Sequence, residues 1–423
     1  MNKTIKGACL VAATAMLPLS QAATAGEVNI SGWINESMMY YDDGQGSDIV
    51  QSVDNGTTLN SRLSFTGSHE LPNTGSKAGF EITIEPNSGL NGNNAFGNSN
   101  SPLATSPSGA LTGLSGGAFG DTNGFGSDVG LLASNLWLGG AWGKVTMGTQ
   151  SMPTDNIAVL EDPSVTLWTN VAPVFRGGFF AIQGLTGAAA GQSYQSFLQC
   201  LGVNGAGLGI DCNGVYRNGL RYDLPTFAGV DIAVGYANDD IYDIAAKYKT
   251  TLAGLNASLA VGYSINQGSA GVGATEAETF QTAVGLMDPG TGIFGSFSYQ
   301  HEDGEGAAAG AGDDTAAYYV KVGIKRAFNS LGDTSIHFAY GSYNDQFGTT
   351  NAGATSFGAT DVTGSEIERF AFGVTQYFGA AFQIYGNWEQ LDLDVDCTSL
   401  ACTNAYAGAE ELDMFNLGAV YFF

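Results

Sequence analysis

The chain has 423 residues, of which 14 are basic and 40 acidic, so its formal net charge at pH 7 is −26. This balance excludes a nucleic-acid partner, because binding nucleic acid requires a basic stripe that neutralises phosphates. The 62 Gly, 24 Phe and 18 Tyr, with few charged residues, favour an all-β protein of short strands and turns over a disordered chain.

The first predicted element is a secretory signal peptide. Two lysines precede an apolar run at 8–19, and Ala23-Thr24-Ala25 supplies small residues at a cleavage site. We therefore expect residues 1–25 to be removed and residues 26–423 to form a single domain. Removal takes away two of the 14 basic residues, so the mature net charge is 12 − 40 = −28. No later apolar run approaches the roughly 18 residues that a transmembrane helix needs.

The segments that follow alternate apolar and polar residues, which is the period of a strand with two different faces. The connections between these segments are alternately long polar loops and short turns. The predicted strands cover residues 28–41, 59–67, 79–85, 132–138, 144–150, 215–224, 230–237, 241–250, 256–266, 278–287, 293–302, 315–325, 334–344, 365–377, 381–394 and 412–423. About 16 such strands predict a closed transmembrane antiparallel β-barrel with an aqueous lumen, because lipid cannot satisfy a free strand edge.

The last strand has one wholly apolar face. Phe415, Leu417, Ala419, Tyr421 and Phe423 occupy every second position. In water this face would be an exposed, aggregation-prone surface, so we expect lipid to cover it. The pattern resembles the closing strand of bacterial outer-membrane barrels, whose terminal Phe is read by the outer-membrane insertion machinery. The last strand of a soluble β-sandwich is the alternative.

The four cysteines of the mature chain fall into two sequence-local pairs, Cys200 with Cys212 and Cys397 with Cys402. An even count in an exported chain indicates disulfides, and the local pairing is favoured among the three possible connectivities. Free thiols that never bond are the alternative.

Four stretches, in the family's order, are similar to motifs of the trimeric general porins of Gram-negative bacteria. They are the hairpin Ser61-Arg62-Leu63-Ser64-Phe65-Thr66-Gly67-Ser68-His69-Glu70-Leu71, the turn at 137–150, the segment at 216–229 and the strand that ends at Phe423. The resemblance implies an outer-membrane barrel with long extracellular loops and short periplasmic turns. It also implies a homotrimer in contact with lipids and lipopolysaccharide. Its activity would be passive diffusion of small hydrophilic solutes and ions, without cofactor or turnover chemistry.

In that family the loop after the fifth strand folds into the barrel and faces a row of arginines. The resemblance places a constriction at residues Arg62, Arg217, Arg221, Asp155, Glu161 and Asp162, with Arg217 and Arg221 as alternatives for one wall position. Ser134 and Thr149 stand where many members have Arg, so we expect a thinner basic wall and a moderate cation preference. The path of residues 151–214 stays open.

Enzymatic chemistry has little support in the sequence. A G-x-S-x-G pattern at 113–117 lies in a low-complexity loop and not in the strand-to-helix turn that a nucleophile needs. The histidines His69, His301 and His337 lack metal-ligand spacing. Asp392, Asp394 and Asp396 resemble part of a calcium loop, but Cys397 stands where a Gly is required, which favours a solvated acidic rim.

Two other functions remain open from the sequence. A substrate-specific channel would need a lumen lined by stacked aromatic rings, and Trp33 is one candidate ring. A surface adhesin on a barrel scaffold would use the long loops, and would lose cell binding but not conductance when these loops are deleted.

Overall fold

The fold was analysed in a computed structural model. The structure describes residues 28–44, 46–51, 61–86, 129–159, 161–169, 177–178, 180–184, 187–201, 210, 212, 216–238, 240–267, 276–305, 314–347, 361–409 and 411–423. The predicted signal peptide at 1–25 and the G-x-S-x-G pattern at 113–117 lie outside these residues. Within the described ranges, no helix has both the length and the apolar character needed to cross a membrane.

Nearly all of the described secondary structure is antiparallel β-sheet. One sheet contains 17 strands, and β7 and β8 form a separate hairpin. The strands are β1 (Val28–Asp42), β2 (Ser47–Gln51), β3 (Arg62–Leu71), β4 (Ser76–Pro86), β5 (Val129–Gly140), β6 (Gly143–Ser151), β7 (Ala181–Gly184), β8 (Gly187–Ser193), β9 (Tyr216–Asp223), β10 (Val230–Ala237), β11 (Ile241–Leu252), β12 (Leu255–Asn266), β13 (Glu276–Met287), β14 (Ile293–Glu305), β15 (Asp314–Asn329), β16 (Gly332–Asn344), β17 (Val362–Phe378), β18 (Phe382–Cys397) and β19 (Leu412–Phe422). Helix α1 (Leu400–Tyr406) begins after Ser399, whose side chain accepts a hydrogen bond from the Cys402 backbone.

The large sheet closes on itself through β1. This strand pairs with β19 from Trp33 to Asp42, and on its other side with β3 through Trp33 and with β2 from Met38. Because β2 and β3 share one position in the wall, the barrel has 16 wall positions. The closed antiparallel barrel that the sequence predicts is confirmed. The elements that alternation did not predict are β2, the β7–β8 hairpin and α1.

The outward face of the barrel is apolar, as β19 illustrates. Phe415, Leu417 and Tyr421 are exposed, whereas Asn416 and Val420 between them are buried. The ladder with β1 continues past Tyr421 to the last residue, because the backbones of Gly32 and Phe423 exchange hydrogen bonds of 3.0 and 3.1 Å. The terminal residue therefore seals the barrel as well as extending the apolar face.

We predict that deleting Phe423 strongly reduces assembly in the outer membrane. The deletion removes a lipid-facing ring and both hydrogen bonds to Gly32, and so opens a ladder position that lipid cannot satisfy. The amount of heat-resistant protein in purified outer membranes measures this. Phe423→Leu, which keeps the backbone bonds and an apolar side chain, is the control. Wild-type assembly of the deletion variant would contradict the prediction.

Short turns join the strands at one end of the barrel, and longer connections join them at the other end. Ala253 and Gly254 between β11 and β12 have φ of 50° and 85°, the left-handed conformation of a two-residue hairpin turn. Among the residues that the structure describes, the connection between β6 and β9 enters the barrel, and it carries the candidate site.

Candidate functional site

After β6 the chain turns into the lumen and runs along its wall. We call the described residues 152–159 and 161–169 the inner loop. Several glycines of the wall face the inner loop, and atoms of the loop occupy the space that a side chain at these positions would need. An added Cβ would lie 2.8 Å from Pro153 at Gly235, 3.0 Å from Thr154 at Gly262, and 3.0 Å from Thr169 at Gly373, and at Gly285 it would meet the backbone oxygen of Glu161. The inner loop therefore crosses the inward face from β10 to β17, and wall glycines give it room.

The start of the inner loop is hydrogen-bonded to β11. The backbone and hydroxyl of Thr154 donate to Oδ2 of Asp243 at 2.9 and 2.8 Å. Asp155 accepts from the Ser151 hydroxyl at 2.5 Å and from the Asn156 amide at 2.6 Å. Burial raises the pKa of Asp155 to about 6, although the Ser151 hydroxyl and the nearby cations Lys247, Arg62 and Arg221 oppose the rise.

The middle of the inner loop is held by a buried ion pair. Nζ of Lys321 on β15 lies 2.7 Å from Oδ2 of Asp162, and the two side chains are 0% and 3% exposed. Burial raises the pKa of Asp162, but the Lys321 ammonium and the Ser164 donors outweigh burial and hold that pKa well below its usual range. A removed partner would leave the other charge buried alone, so the pair fixes the position of the loop.

Three more wall side chains hold the same part of the loop. Lys325 donates to the Ser164 carbonyl at 2.9 Å, and the Tyr377 hydroxyl donates to the same carbonyl at 2.7 Å. A ring nitrogen of His337 lies 3.3 Å from the Thr169 carbonyl. We call Lys321, Lys325, His337 and Tyr377 the clamp.

The end of the inner loop packs against aromatic rings of β1 and β19. Trp168 packs edge-on against Trp33 of β1 at 6.1 Å and against Phe422 at 5.5 Å between ring centroids. The guanidinium of Arg62 lies 4.4 Å from the Trp33 ring centre. Trp33 is thus an inward-facing ring, and its contacts with Trp168, Phe422 and Arg62 are edge-on, tilted and cation–π contacts rather than a track of stacked aromatics.

The predicted wall arginines lie on the inward face and have carboxylate partners on the wall itself. Arg62 is 2.8 Å from Glu85 of β4, and Arg221 is 2.8 Å from Asp223 of β9. Arg221 also donates to the Ser151 carbonyl at 3.1 Å, which links this wall to the start of the inner loop. Sequence reasoning missed both carboxylates. The Arg221-x-Asp223 spacing could have revealed one of them, because residues two apart on a strand share a face.

Arg217 and Arg221 lie on the same face of β9. They are four residues apart on β9, whereas Leu220 between them is exposed on the outer face. Both arginines therefore point inward, and Arg217 lies two inward-facing positions further toward the long-loop end.

Two placements differ from the sequence analysis. Ser134 and Thr149 pair across β5 and β6 on the outward face, because their neighbours on that face, Leu136 and Met147, are each 63% exposed. They do not thin the arginine wall. Asp162 lies behind the loop against β15, where Lys321 draws it away from the lumen, and it does not face the arginines.

The rest of the long connection fills part of the mouth at the long-loop end. Phe180 packs on Tyr41 of β1 at 4.7 Å, and Phe197 packs on Tyr406 of α1 at 5.6 Å between centroids. The structure pairs Cys200 with Cys212 and Cys397 with Cys402, at Cα separations of 5.3 and 5.6 Å, which is the local connectivity that the sequence favours. The path of 151–214, as far as it is described, therefore runs from the inward face of the wall to the mouth at the long-loop end.

A closed barrel with an apolar outer face, a polar inner face and a loop folded into its lumen defines an outer-membrane channel protein. The chain belongs to the Gram-negative porin family, whose model matches residues 8–396. The protein is accordingly an outer-membrane porin.

Solved structures with the same fold include an anion-selective porin from Comamonas acidovorans. It is 18% identical, has a TM-score of 0.54, and the match covers 94% of this chain and 100% of that one. A loop-deletion mutant of OmpT, an outer membrane protein of Vibrio cholerae, is 11% identical with a TM-score of 0.53 and the same coverage. The trimer form of OmpT has a TM-score of 0.50 at 11% identity, again covering 94% and 100%. A comparison with curated protein sequences gave no match.

Proposed function

We propose that the porin is a homotrimeric channel for passive diffusion of small hydrophilic solutes and ions, with a moderate preference for cations. The observation that carries this proposal is the course of the inner loop. It packs on the wall from β10 to β17, whereas Arg62 and Arg221 project from β3 and β9, and Arg221 bonds the Ser151 carbonyl just before the loop begins. A water-filled gap between two charged surfaces screens solutes by size and charge.

The charge balance at this gap favours cations. Arg62 and Arg221 each lie against a carboxylate of their own wall, so their field in the lumen is reduced. Asp155 on the inner loop accepts hydrogen bonds from neutral donors, and its negative charge, once it ionises, is opposed in part by Lys247, Arg62 and Arg221. The positive charge of the arginine wall is therefore reduced by Glu85 and Asp223. We had expected it to be reduced because Ser134 and Thr149 stand at positions where many family members have Arg.

We predict that the cation preference depends on pH through Asp155. Because its pKa is raised to about 6, Asp155 is ionised at pH 8 and protonated at pH 5, so its contribution is present above pH 6 and lost below it. Carboxyl groups with ordinary pKa values near 4 stay ionised over this range. The reversal potential in a potassium chloride gradient should therefore fall between pH 8 and pH 5, and Asp155→Asn should abolish most of that change.

Asp314→Asn is the matched control, because Asp314 is an exposed carboxylate at the long-loop end with a side chain that is 73% exposed. The effect of Asp314→Asn on the reversal potential should disappear in 1 M salt, where the Debye length is about 3 Å. An anion-selective sign at pH 8 and low salt would refute the proposed preference. A pH dependence that persists in Asp155→Asn would refute the role of Asp155.

One observation favours a substrate-specific channel as a second function. A chamber of about 330 Å³ lies beside the start of the inner loop, and its lining includes Trp137, Glu81, Lys144 and Arg221. An aromatic ring between groups of opposite charge can hold a solute briefly as it passes. Brief current interruptions that increase with the concentration of one solute, and that disappear in Trp137→Ala, would support this function.

A further inference from the structure

The chamber beside the start of the inner loop is lined by two neighbouring ladder rows on the inward face of the wall. The first row crosses β1, β3, β4 and β5, and the second crosses β3, β4, β5, β6 and β9. The first row supplies Asn29, Thr66, Glu81 and Asn135 to the lining, and the second supplies Ser68, Trp137, Thr146 and Arg221. Neighbouring strands lie about 4.8 Å apart and the two rows about 7 Å apart, so these side chains surround one compact space.

Trp137 provides an aromatic surface in this space. It pairs with Gly79 of β4, and an added Cβ at Gly79 would lie 2.4 Å from each of two atoms of the indole six-membered ring. The ring therefore lies across the glycine of the neighbouring strand, and its other side is turned toward the chamber that it lines. The face of an aromatic ring is negative, so it attracts C–H groups that carry a small positive charge.

The polar groups around the ring include both hydrogen-bond donors and acceptors. The lining contains amides and hydroxyls at Asn29, Asn135, Gln150, Thr66, Ser68, Thr146 and Ser151. Asn135 donates to Glu81 at 3.3 Å and Gln150 donates to the Thr146 carbonyl at 3.0 Å, and these bonds fix the direction of both amide groups. A hydroxyl of a ligand is itself both donor and acceptor, so a ligand with several hydroxyls matches this lining.

The charged groups at the chamber compensate one another. Nη2 of Arg221 lies 2.8 Å from Asp223, and Nζ of Lys144 lies 3.4 Å from the same carboxylate. Glu81 accepts hydrogen bonds from the Thr83 hydroxyl at 3.1 Å and from Asn135. Two cations and two carboxylates thus leave no net formal charge, and an ionic solute gains little from entering. This balance favours a neutral ligand over an anion or a cation.

The volume of the chamber limits the size of the ligand. At about 330 Å³ it lies at the lower end of the range for small-molecule sites, roughly 300–1,000 Å³. Sugars of one or two rings are small enough for such a site, and they combine several hydroxyls, no charge and a ring face made of C–H groups. Each of these properties has a counterpart in the lining.

We propose that the chamber is a binding subsite for neutral sugars of one or two rings. Trp137 is the stacking surface, and Glu81, Asn135 and Gln150 are hydrogen-bonding groups for the sugar hydroxyls. The subsite rests on the channel of the proposed function, and it gives the class of solute that the substrate-specific channel would select. A sugar that enters the lumen is held between the inner loop and the short turns, so it crosses more slowly than by free diffusion.

Current interruptions in planar bilayers test the role of the ring. Maltose should interrupt the current of the unmodified porin with a frequency that rises with its concentration. Trp137→Ala should weaken maltose binding about tenfold or more, whereas Trp137→Phe, which keeps an aromatic ring, should retain most of it. Trp142→Ala is the matched control, because Trp142 is 41% exposed at the turn between β5 and β6 and stacks on Tyr222. Equal maltose binding in Trp137→Ala and the unmodified porin would overturn the proposal.

Sugars of equal size and different charge test the class of ligand. Glucose, glucuronate and glucosamine share one ring but are neutral, anionic and cationic, and the current noise that each produces measures its binding. Glucose should bind about threefold more tightly than either ion or better. Glu81→Gln removes one negative charge from the chamber and should strengthen glucuronate binding about threefold. Tighter binding of either charged sugar than of glucose by the unmodified porin would refute a neutral ligand.

Failure of the subsite can be told apart from failure of the channel function. A steady conductance that no sugar interrupts would overturn the subsite and leave the channel function intact. A protein that does not conduct would contradict the channel function, and the tryptophan fluorescence of the purified protein then tests the subsite. Maltose should shift the emission of the unmodified protein and not that of Trp137→Phe, and equal shifts in both would overturn the subsite.

Discussion

Replacing Lys321 by Met is expected to narrow the channel and to make its current fluctuate. Met keeps most of the apolar stem but removes the ammonium that lies 2.7 Å from Asp162. An uncompensated buried carboxylate costs about 3–5 kcal/mol, so Asp162 should move toward water and take the inner loop away from the wall. Single-channel conductance and the size of the largest permeating neutral polymer measure the change.

A second substitution shows whether the lost charge is the cause. Asp162→Asn in the Lys321→Met background removes the isolated charge and should restore most of the original conductance. Lys325→Met should have a smaller effect, because Lys325 donates to a neutral loop carbonyl and not to a carboxylate, and is partly exposed. Unchanged conductance and polymer cut-off in Lys321→Met would show that the ion pair does not position the loop.

The barrel could be predicted because its determinants repeat along the chain. Each strand alternates apolar and polar residues, and the two faces of a closed wall require that alternation in every strand. β2 and the β7–β8 hairpin were not predicted, because they lie in polar or Gly-rich segments without a clear alternation. Helix α1 is only seven residues long, and its buried Cys402 and Tyr406 belong to the apolar cluster at the mouth rather than to a helical pattern in the sequence.

The site could be predicted only in part, for a related reason. Successive side chains of a strand point to alternate faces, so the sequence predicts the face on which Arg62 and Arg221 lie. A loop has no such fixed period. The sequence therefore could not tell that Asp155 and Asp162 have different surroundings, or that Lys321 on β15 reaches one of them. Ser134 follows a register shift between β4 and β5, and a shift of one residue moves a side chain to the opposite face.

The wall glycines lead to the second large expected effect, a displaced inner loop in Gly285→Val. A Cβ at Gly285 would meet the backbone oxygen of Glu161 and lie 3.1 Å from Pro163, two loop residues next to the clamped segment. The strand itself should accept Val, because β-branched residues fit a pleated wall. We therefore expect the barrel to assemble with the loop moved into or out of the lumen, and the conductance and polymer cut-off to change accordingly.

Gly285 and the clamp residue Lys321 should both position the inner loop, and a double variant tests whether they do. If Gly285→Val and Lys321→Met release the same loop, their effects on conductance should not add in the double variant, because the first substitution already abolishes the contact that the second removes. Gly295→Val is the matched control on the neighbouring strand β14, since an added Cβ there has no neighbour closer than 3.6 Å. Additive effects would mean that the loop has two independently attached parts. If Gly295→Val changed the conductance as much as Gly285→Val, the change would come from the strand rather than from the loop.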